Sequence, residues 1–181
     1  MMEQYLTGNS VDSMGGQLDL VSIRLKKDRT LYSNKPIHNP DQAVQLLGEM
    51  LGEFNREVVA FLNMNTKGMV INASVVAFGQ IDTCPVCIGE IMKLALLSNA
   101  SSILLMHNHP SGDCSPSQED LKVTSRVAKA ARLVDISLLD HIIVTPDASA
   151  KCSILEKYPQ YFEVKGESFC AEPHYYKGRS R

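Results

Sequence analysis

Ile103-Leu104-Leu105-Met106 is an uninterrupted apolar run that passes straight into His107-Asn108-His109-Pro110. A run of strand length without polar alternation has to be covered on both faces, so it reads as a central strand with a layer above and a layer below. Its neighbours supply those layers. Asn39-Pro40 starts a helix, with Asn as the cap and Pro at the first helical position, where its missing N–H costs nothing. Ala43, Val44, Leu47, Met50, Leu51 and Phe54 then recur at three- and four-residue steps, one inward stripe. Val58–Met64 and Met69–Phe78 are β-rich runs separated by the turn residues Asn65–Gly68, which predicts a hairpin with Glu57 just before its first strand.

Pro85 marks a second helix whose stripe is Ile88, Ile91, Met92 and Ala95, ended by Asn99. A third helix is expected from Ser115 to Leu133, burying Val123, Val127, Ala130, Ala131 and Val134, and Ile136–Thr145 is the last long strand. Helices and strands alternate while two strands join as a hairpin, so the sheet must be mixed. The expected fold is a single α/β domain, a mixed β-sheet flanked by helices in two or three layers.

With 181 residues, 44% hydrophobic and 21% charged, the chain has the composition of one soluble domain that needs no disulfide staple. Residues 1–17 read as a loosely ordered arm, 18–160 as the domain and 161–181 as a mixed tail. The domain opens with an apolar run of strand length around Leu18, Leu20, Val21, Ile23 and Leu25, and Lys26-Lys27-Asp28-Arg29 after it reads as a solvated turn. Eighteen Lys and Arg against 20 Asp and Glu give a net charge of -2, so no global positive field gathers nucleic acid, which is not expected as a direct ligand. Neither a secretory leader nor a membrane span is recognisable, and a cytoplasmic protein is expected. The five cysteines are an odd count without a framework and read as free thiols. Cys84-Pro85-Val86-Cys87 is a lone C-x-x-C with no second pair to complete a zinc ribbon, and reads as two buried thiols at a helix start.

The chemistry gathers where the central strand ends. Side chains two apart on a strand share a face, so His107 and His109 aim their imidazoles at one point, and Pro110 keeps His109 extended. A hydrolytic zinc site takes three protein ligands and leaves one position for water. Asp120, in the first turn of the next helix, is the best third ligand, brought back over the strand end by the Pro110-Ser111-Gly112 turn. Ser115-Pro116-Ser117-Gln118 and Ser117 to Asp120 both satisfy a capping box, in different registers. The reading taken is that Ser115 caps the helix, leaving Ser117 and Asp120 on one helix face. Asp140 and His141, polar residues in the middle of the last strand, are open to two readings: orienting a metal ligand or satisfying local backbone.

His107-x-His109, seven residues, Ser117, two residues and Asp120 resemble the metalloprotease motif of the JAMM, or MPN-plus, domains. The run His107 to Asp113 with Pro116, Ser117 and Asp120 is closer still to the RadC-like JAB subfamily, and the likeness extends through Arg56-Glu57, Thr66-Lys67 and Asp140-His141-Ile142-Ile143-Val144. The resemblance implies a cytidine-deaminase-like JAB/MPN fold, zinc as cofactor, and a peptide or isopeptide-linked protein as substrate. It names Glu57 as the catalytic carboxylate and Ser117 as the donor to the oxyanion. Departures are Val86-Cys87-Ile88-Gly89, where a hydroxyl or His followed by Pro-Arg is usual, and Asn65 in place of Asp; the segment before Leu18 reads as too short for the helix-hairpin-helix module of full-length RadC proteins, which is not expected here.

Two other classes of function compete with a zinc hydrolase. One is a nucleic-acid-associated repair or mobile-element accessory protein that uses the same fold without peptidase activity. The other is an inactive zinc-binding scaffold, against which stands the retention of every motif position.

Overall fold

The computed structural model describes residues 25–27, 30, 32–33, 35–79 and 86–163. The expected arm, the apolar run before Leu25 and most of the tail lie outside the described residues, as do Cys84 and Pro85.

Asn39 caps the first helix, α1 (Pro40–Gly52), through its side-chain oxygen, which accepts from the Gln42 N–H at 3.0 Å. Ala43, Leu47 and Leu51 of its stripe are fully buried, and each buried leucine contributes about 1.5–3 kcal/mol. The hairpin follows as β1 (Val58–Met64) and β2 (Val70–Phe78), paired antiparallel. Its turn is closed by Asn65, whose side chain accepts from the N–H groups of Lys67 and Met69, with Gly68 at φ 74 where a side chain would be strained.

The second helix, α2 (Ile88–Leu97), starts three residues after Pro85, with Cys87 at its N-cap making no side-chain capping bond. Cys87 is exposed, so it is not the buried thiol expected at this position. Asn99, at φ 50, reverses the chain after the helix, a left-handed conformation that Asn tolerates better than most residues. Beyond it come β3 (Ser102–Asn108), α3 (Gln118–Leu133), β4 (Ser137–Val144), the short β5 (Lys151–Ser153) and one helical turn, α4 (Ile154–Lys157).

The sheet has the order β2-β1-β3-β4-β5. Only β3 and β4 run parallel, joined through α3, so the sheet is mixed as expected. β3 is the middle strand and every one of its residues is buried. Leu104 and Met106 pack with β1 and α1 on one face, while Ile103 and Leu105 pack with α2 and α3 on the other. The result is three layers, helix over sheet over helices.

The same alternation sorts the polar end of β3. His107 follows Leu105 onto the α3 face, whereas Asn108 follows Met106 onto the α1 face. There the Asn108 side chain accepts from the Val58 N–H at 2.8 Å and donates to the carbonyls of Phe54 at 3.3 Å and Arg56 at 3.0 Å. One buried amide thus pins the loop between α1 and β1, on which Glu57 stands.

Asn108→Ala should strand these loop groups without partners and lower the unfolding free energy by about 2–4 kcal/mol. Urea unfolding checks this, with the midpoint expected to fall while the slope stays unchanged.

Candidate metal centre

His107, His109 and Asp120 each offer one ligand atom, and these atoms lie within 4.8 Å of one another. His107 comes from the last turn of the β3 pleat. His109 lies just past the strand, yet its N–H still donates to the Val144 carbonyl at 2.9 Å, so the ladder and its alternation continue through the second histidine. Gly112, at φ 81, donates to the His109 carbonyl and closes the turn that carries the chain back to α3.

The start of α3 differs from the expectation. Its cap is Ser117, not Ser115: the Ser117 hydroxyl accepts from the Asp120 N–H at 3.1 Å, while the Asp120 carboxylate accepts from the Ser117 N–H at 2.7 Å. Ser115 is drawn away because its N–H donates to the Asp113 carboxylate at 2.8 Å, forming a local turn outside the helix. The second capping-box register therefore prevails. Asp120 is both the reciprocal capping residue and a member of the triad.

That double use divides its oxygens. Oδ2 accepts from the Ser117 N–H and from the Ser117 hydroxyl at 2.7 Å. Oδ1 is buried with no hydrogen-bond partner and sits 3.3 Å from His107 Nε2. An unpartnered buried carboxylate oxygen is costly unless a cation faces it. The histidines present the same problem from the other side, since His107 Nε2 and His109 Nε2 approach to 2.9 Å. His109 Nδ1 lies 2.7 Å from the Asp113 carbonyl, which can only accept. In the neutral ring, the form that binds a metal, Nδ1 therefore carries the proton and Nε2 is left as a bare lone pair. Two imidazole nitrogens and a carboxylate oxygen converging in a buried spot fit a divalent metal.

Burial, with the nearby His109, lowers the pKa of His107 to about 3, so the ring is neutral at physiological pH, as a ligand must be. His141, also fully buried, is held well below its ordinary value mainly by desolvation, then by His107. His107 Nδ1 lies 2.8 Å from His141 Nε2, and His141 Nδ1 lies 2.7 Å from the Thr124 hydroxyl. Asp140 takes the other of the two roles open to this pair. It accepts from the N–H groups of His141 and Leu155 and from the Ser153 hydroxyl, fastening β5 and α4 to β4, and burial raises its pKa against those bonds.

Glu57 lies one residue before β1 and is half-buried, its carbonyl accepting from the Gly79 N–H. Val59 pairs with His107, so continuing that register by two residues on each strand sets Glu57 opposite His109, with the pleat parity of Val59 on the α3 face. Asn108 and Thr124 are the site residues that sequence reasoning missed. A signal for Asn108 was present: an amide at a pleat position continuing Leu104 and Met106 must find partners inside. Thr124 carried a weaker one, a hydroxyl one turn beyond Asp120 on the inward face of α3.

In the unfolded chain His107 takes up a proton near pH 6.5, and in the folded, metal-free protein only near pH 3. The unfolded state thus binds more protons between these values. The stability of the metal-free protein should be full above pH 6.5 and fall progressively as pH drops from there towards 3. Chemical denaturation across that range checks the slope, and His107→Asn should make it shallower, leaving the part that His141 contributes.

A family model for the RadC-like JAB domain matches residues 37–158, which include β1 to β5 and all three members of the triad. The chain is 40% identical over 121 residues to a UPF0758 protein of Clostridium acetobutylicum, covering 67% of this chain and 52% of that protein. It is 42% identical over 122 residues to one of Clostridium beijerinckii, with 67% and 53% covered. A relative from Caldanaerobacter subterraneus is 36% identical over 115 residues, with 64% and 49% covered. The chain spans about half the length of these curated relatives. Among the described residues no helix is long and apolar enough to cross a membrane. With the match running through the sheet, the histidine strand and the Asp120 helix, the chain belongs to the RadC-like JAB domain family.

Proposed function

We propose that this protein is a zinc-dependent hydrolase that cleaves an amide or isopeptide bond in a peptide or protein substrate. The observation that carries the reading is the convergence of His107, His109 and Asp120, with Asp120 Oδ1 buried and unpartnered. His107 Nε2, His109 Nε2 and Asp120 Oδ1 are the ligands. Zinc held by them supplies Lewis acidity and a water activated near neutral pH.

The remaining work falls to side chains around that point. Glu57 accepts a proton from the attacking water and returns it to the leaving amine, a task that needs a carboxylate at the rim of the site. The register that sets Glu57 opposite His109 and the Asn108 bonds on either side of it support this placement. Ser117 donates to the oxyanion formed on attack. Its O–H now points to Asp120 Oδ2, and a hydroxyl hydrogen is free to turn, while the Ser117 N–H stays on that oxygen.

About one zinc per chain is expected in purified protein. His107→Ala or Asp120→Ala should lose most of it, whereas Cys84→Ser with Cys87→Ser should keep it. Metal analysis showing equal zinc in the wild type and in the double histidine variant would sink the ligand assignment.

Glu57→Gln removes the base without touching a ligand, so a pull-down with this variant is the route to the substrate. On that substrate, Glu57→Gln should be about 10²- to 10⁴-fold slower than wild type with zinc retained. Ser117→Ala should be about 10²- to 10³-fold slower. It should also lose about 1 kcal/mol of stability, because the same hydroxyl caps α3. Wild-type hydrolysis by Glu57→Gln would remove that residue from the mechanism.

A further inference from the structure

We propose that Thr124 is a positioning residue for metal capture, whose hydroxyl, acting through His141, fixes the tautomer of His107 so that a bare Nε2 faces the site before any metal arrives. The inference rests on the metal-binding reading above and concerns how the site is made ready.

The argument follows hydrogens along one chain of contacts. Thr124 Oγ lies 2.7 Å from the backbone carbonyl of Asp120, an oxygen that can only accept. The single hydroxyl hydrogen therefore goes there, and the oxygen's remaining capacity is as an acceptor. His141 Nδ1, 2.7 Å away, must then be the donor. A neutral imidazole carries one N–H, so His141 Nε2 is an acceptor, and its neighbour at 2.8 Å, His107 Nδ1, must carry the hydrogen. His107 Nε2 is left as a lone pair. It is this atom that lies 2.9 Å from His109 Nε2 and 3.3 Å from Asp120 Oδ1.

Reversing any one hydrogen reverses all of them. Were the Thr124 hydroxyl to donate to His141, both rings would switch and His107 would present an N–H to the metal position. The short contact from Thr124 Oγ to the Asp120 carbonyl opposes that direction, because two oxygens at 2.7 Å would then face each other with no hydrogen between them. The chain also closes on itself. It starts at the backbone of Asp120 and ends on the ring that shares the site with the Asp120 carboxylate, so one helical turn of α3 sets both ligands. His107, His141 and Thr124 are all fully or almost fully buried, which keeps water from supplying substitute donors.

The test compares Thr124→Val, Thr124→Ser and wild type by two measurements. Long-range ¹⁵N–¹H spectra of metal-free protein report which nitrogen of each ring is protonated, and competition with a chromophoric chelator gives the affinity for zinc alone. Wild type and Thr124→Ser should show His107 and His141 protonated at Nδ1. Thr124→Val, which keeps the shape and loses the hydroxyl, should shift His107 towards Nε2–H and bind zinc about 10- to 100-fold more weakly. A role in packing alone predicts the opposite order, since Ser loses a methyl group and Val does not. His107 protonated at Nε2 in metal-free wild type, or zinc affinity unchanged in Thr124→Val, would overturn the proposal. The spectra decide whether or not zinc binds, so a wild-type protein without zinc affinity would fault the metal reading separately.

Discussion

Burial of β3 on both faces is the constraint from which the rest of the molecule follows. Apolar side chains at Ile103 to Met106 can be covered on two sides only if helices lie above and below, and that requirement sets α1 on one face and α2 with α3 on the other. The strand then ends in His107 and Asn108, as buried as the apolar residues before them, and runs on into His109, which is mostly buried. Nothing in a dry interior tolerates such groups unless each has a partner. The loop before β1, the turn at Gly112, the capping box of α3 and the buried end of β4 all come to that strand end and supply partners. Among the groups they leave over is the Asp120 carboxylate oxygen that faces the histidines.

Two electrostatic requirements oppose each other there. Lone pairs and a carboxylate pressed together repel, and desolvation prevents His107 from relieving the repulsion by taking a proton near neutral pH. The local fold holds the groups in place regardless: His109 by the Asp113 carbonyl, Asp120 by the Ser117 cap, His107 through His141. A divalent cation satisfies all three at once, which is why the arrangement is better suited to a metal than to a structural ion pair.

Much of this was legible from residues alone. A two-residue spacing on an unbroken apolar strand fixes two imidazoles on one face, and Asn39-Pro40 and Asn65–Gly68 carry local chemistry that acts almost without tertiary context. The cap of α3 was legible only as a choice, because both serines satisfy the pattern. What separates them is the hold of the Asp113 side chain on the Ser115 N–H, a contact a sequence does not display. β5 was missed because Lys151–Ser153 has too few residues for periodicity, and it exists through its pairing with β4 and the Asp140 bond to Ser153. Asp140 and His141 could not be told apart in sequence, since adjacent residues on a strand face opposite ways and only the packed helices say which face holds the metal.

The alternation of His107, Asn108 and His109 also bears on how the chain finds its fold. A hydrophobic strand such as Ile103–Met106 is nearly indifferent to sliding by one residue, for both of its faces are greasy and either parity would bury it. The polar end removes that indifference. Slipped by one, Asn108 would lie under α3 without the Phe54, Arg56 and Val58 backbone, and both imidazoles would be driven into the aliphatic layer beneath α1. Two of the residues proposed for chemistry are therefore also the index mark of the sheet, and misregistered chains are rejected by Asn108 together with the two histidines that would grip the metal.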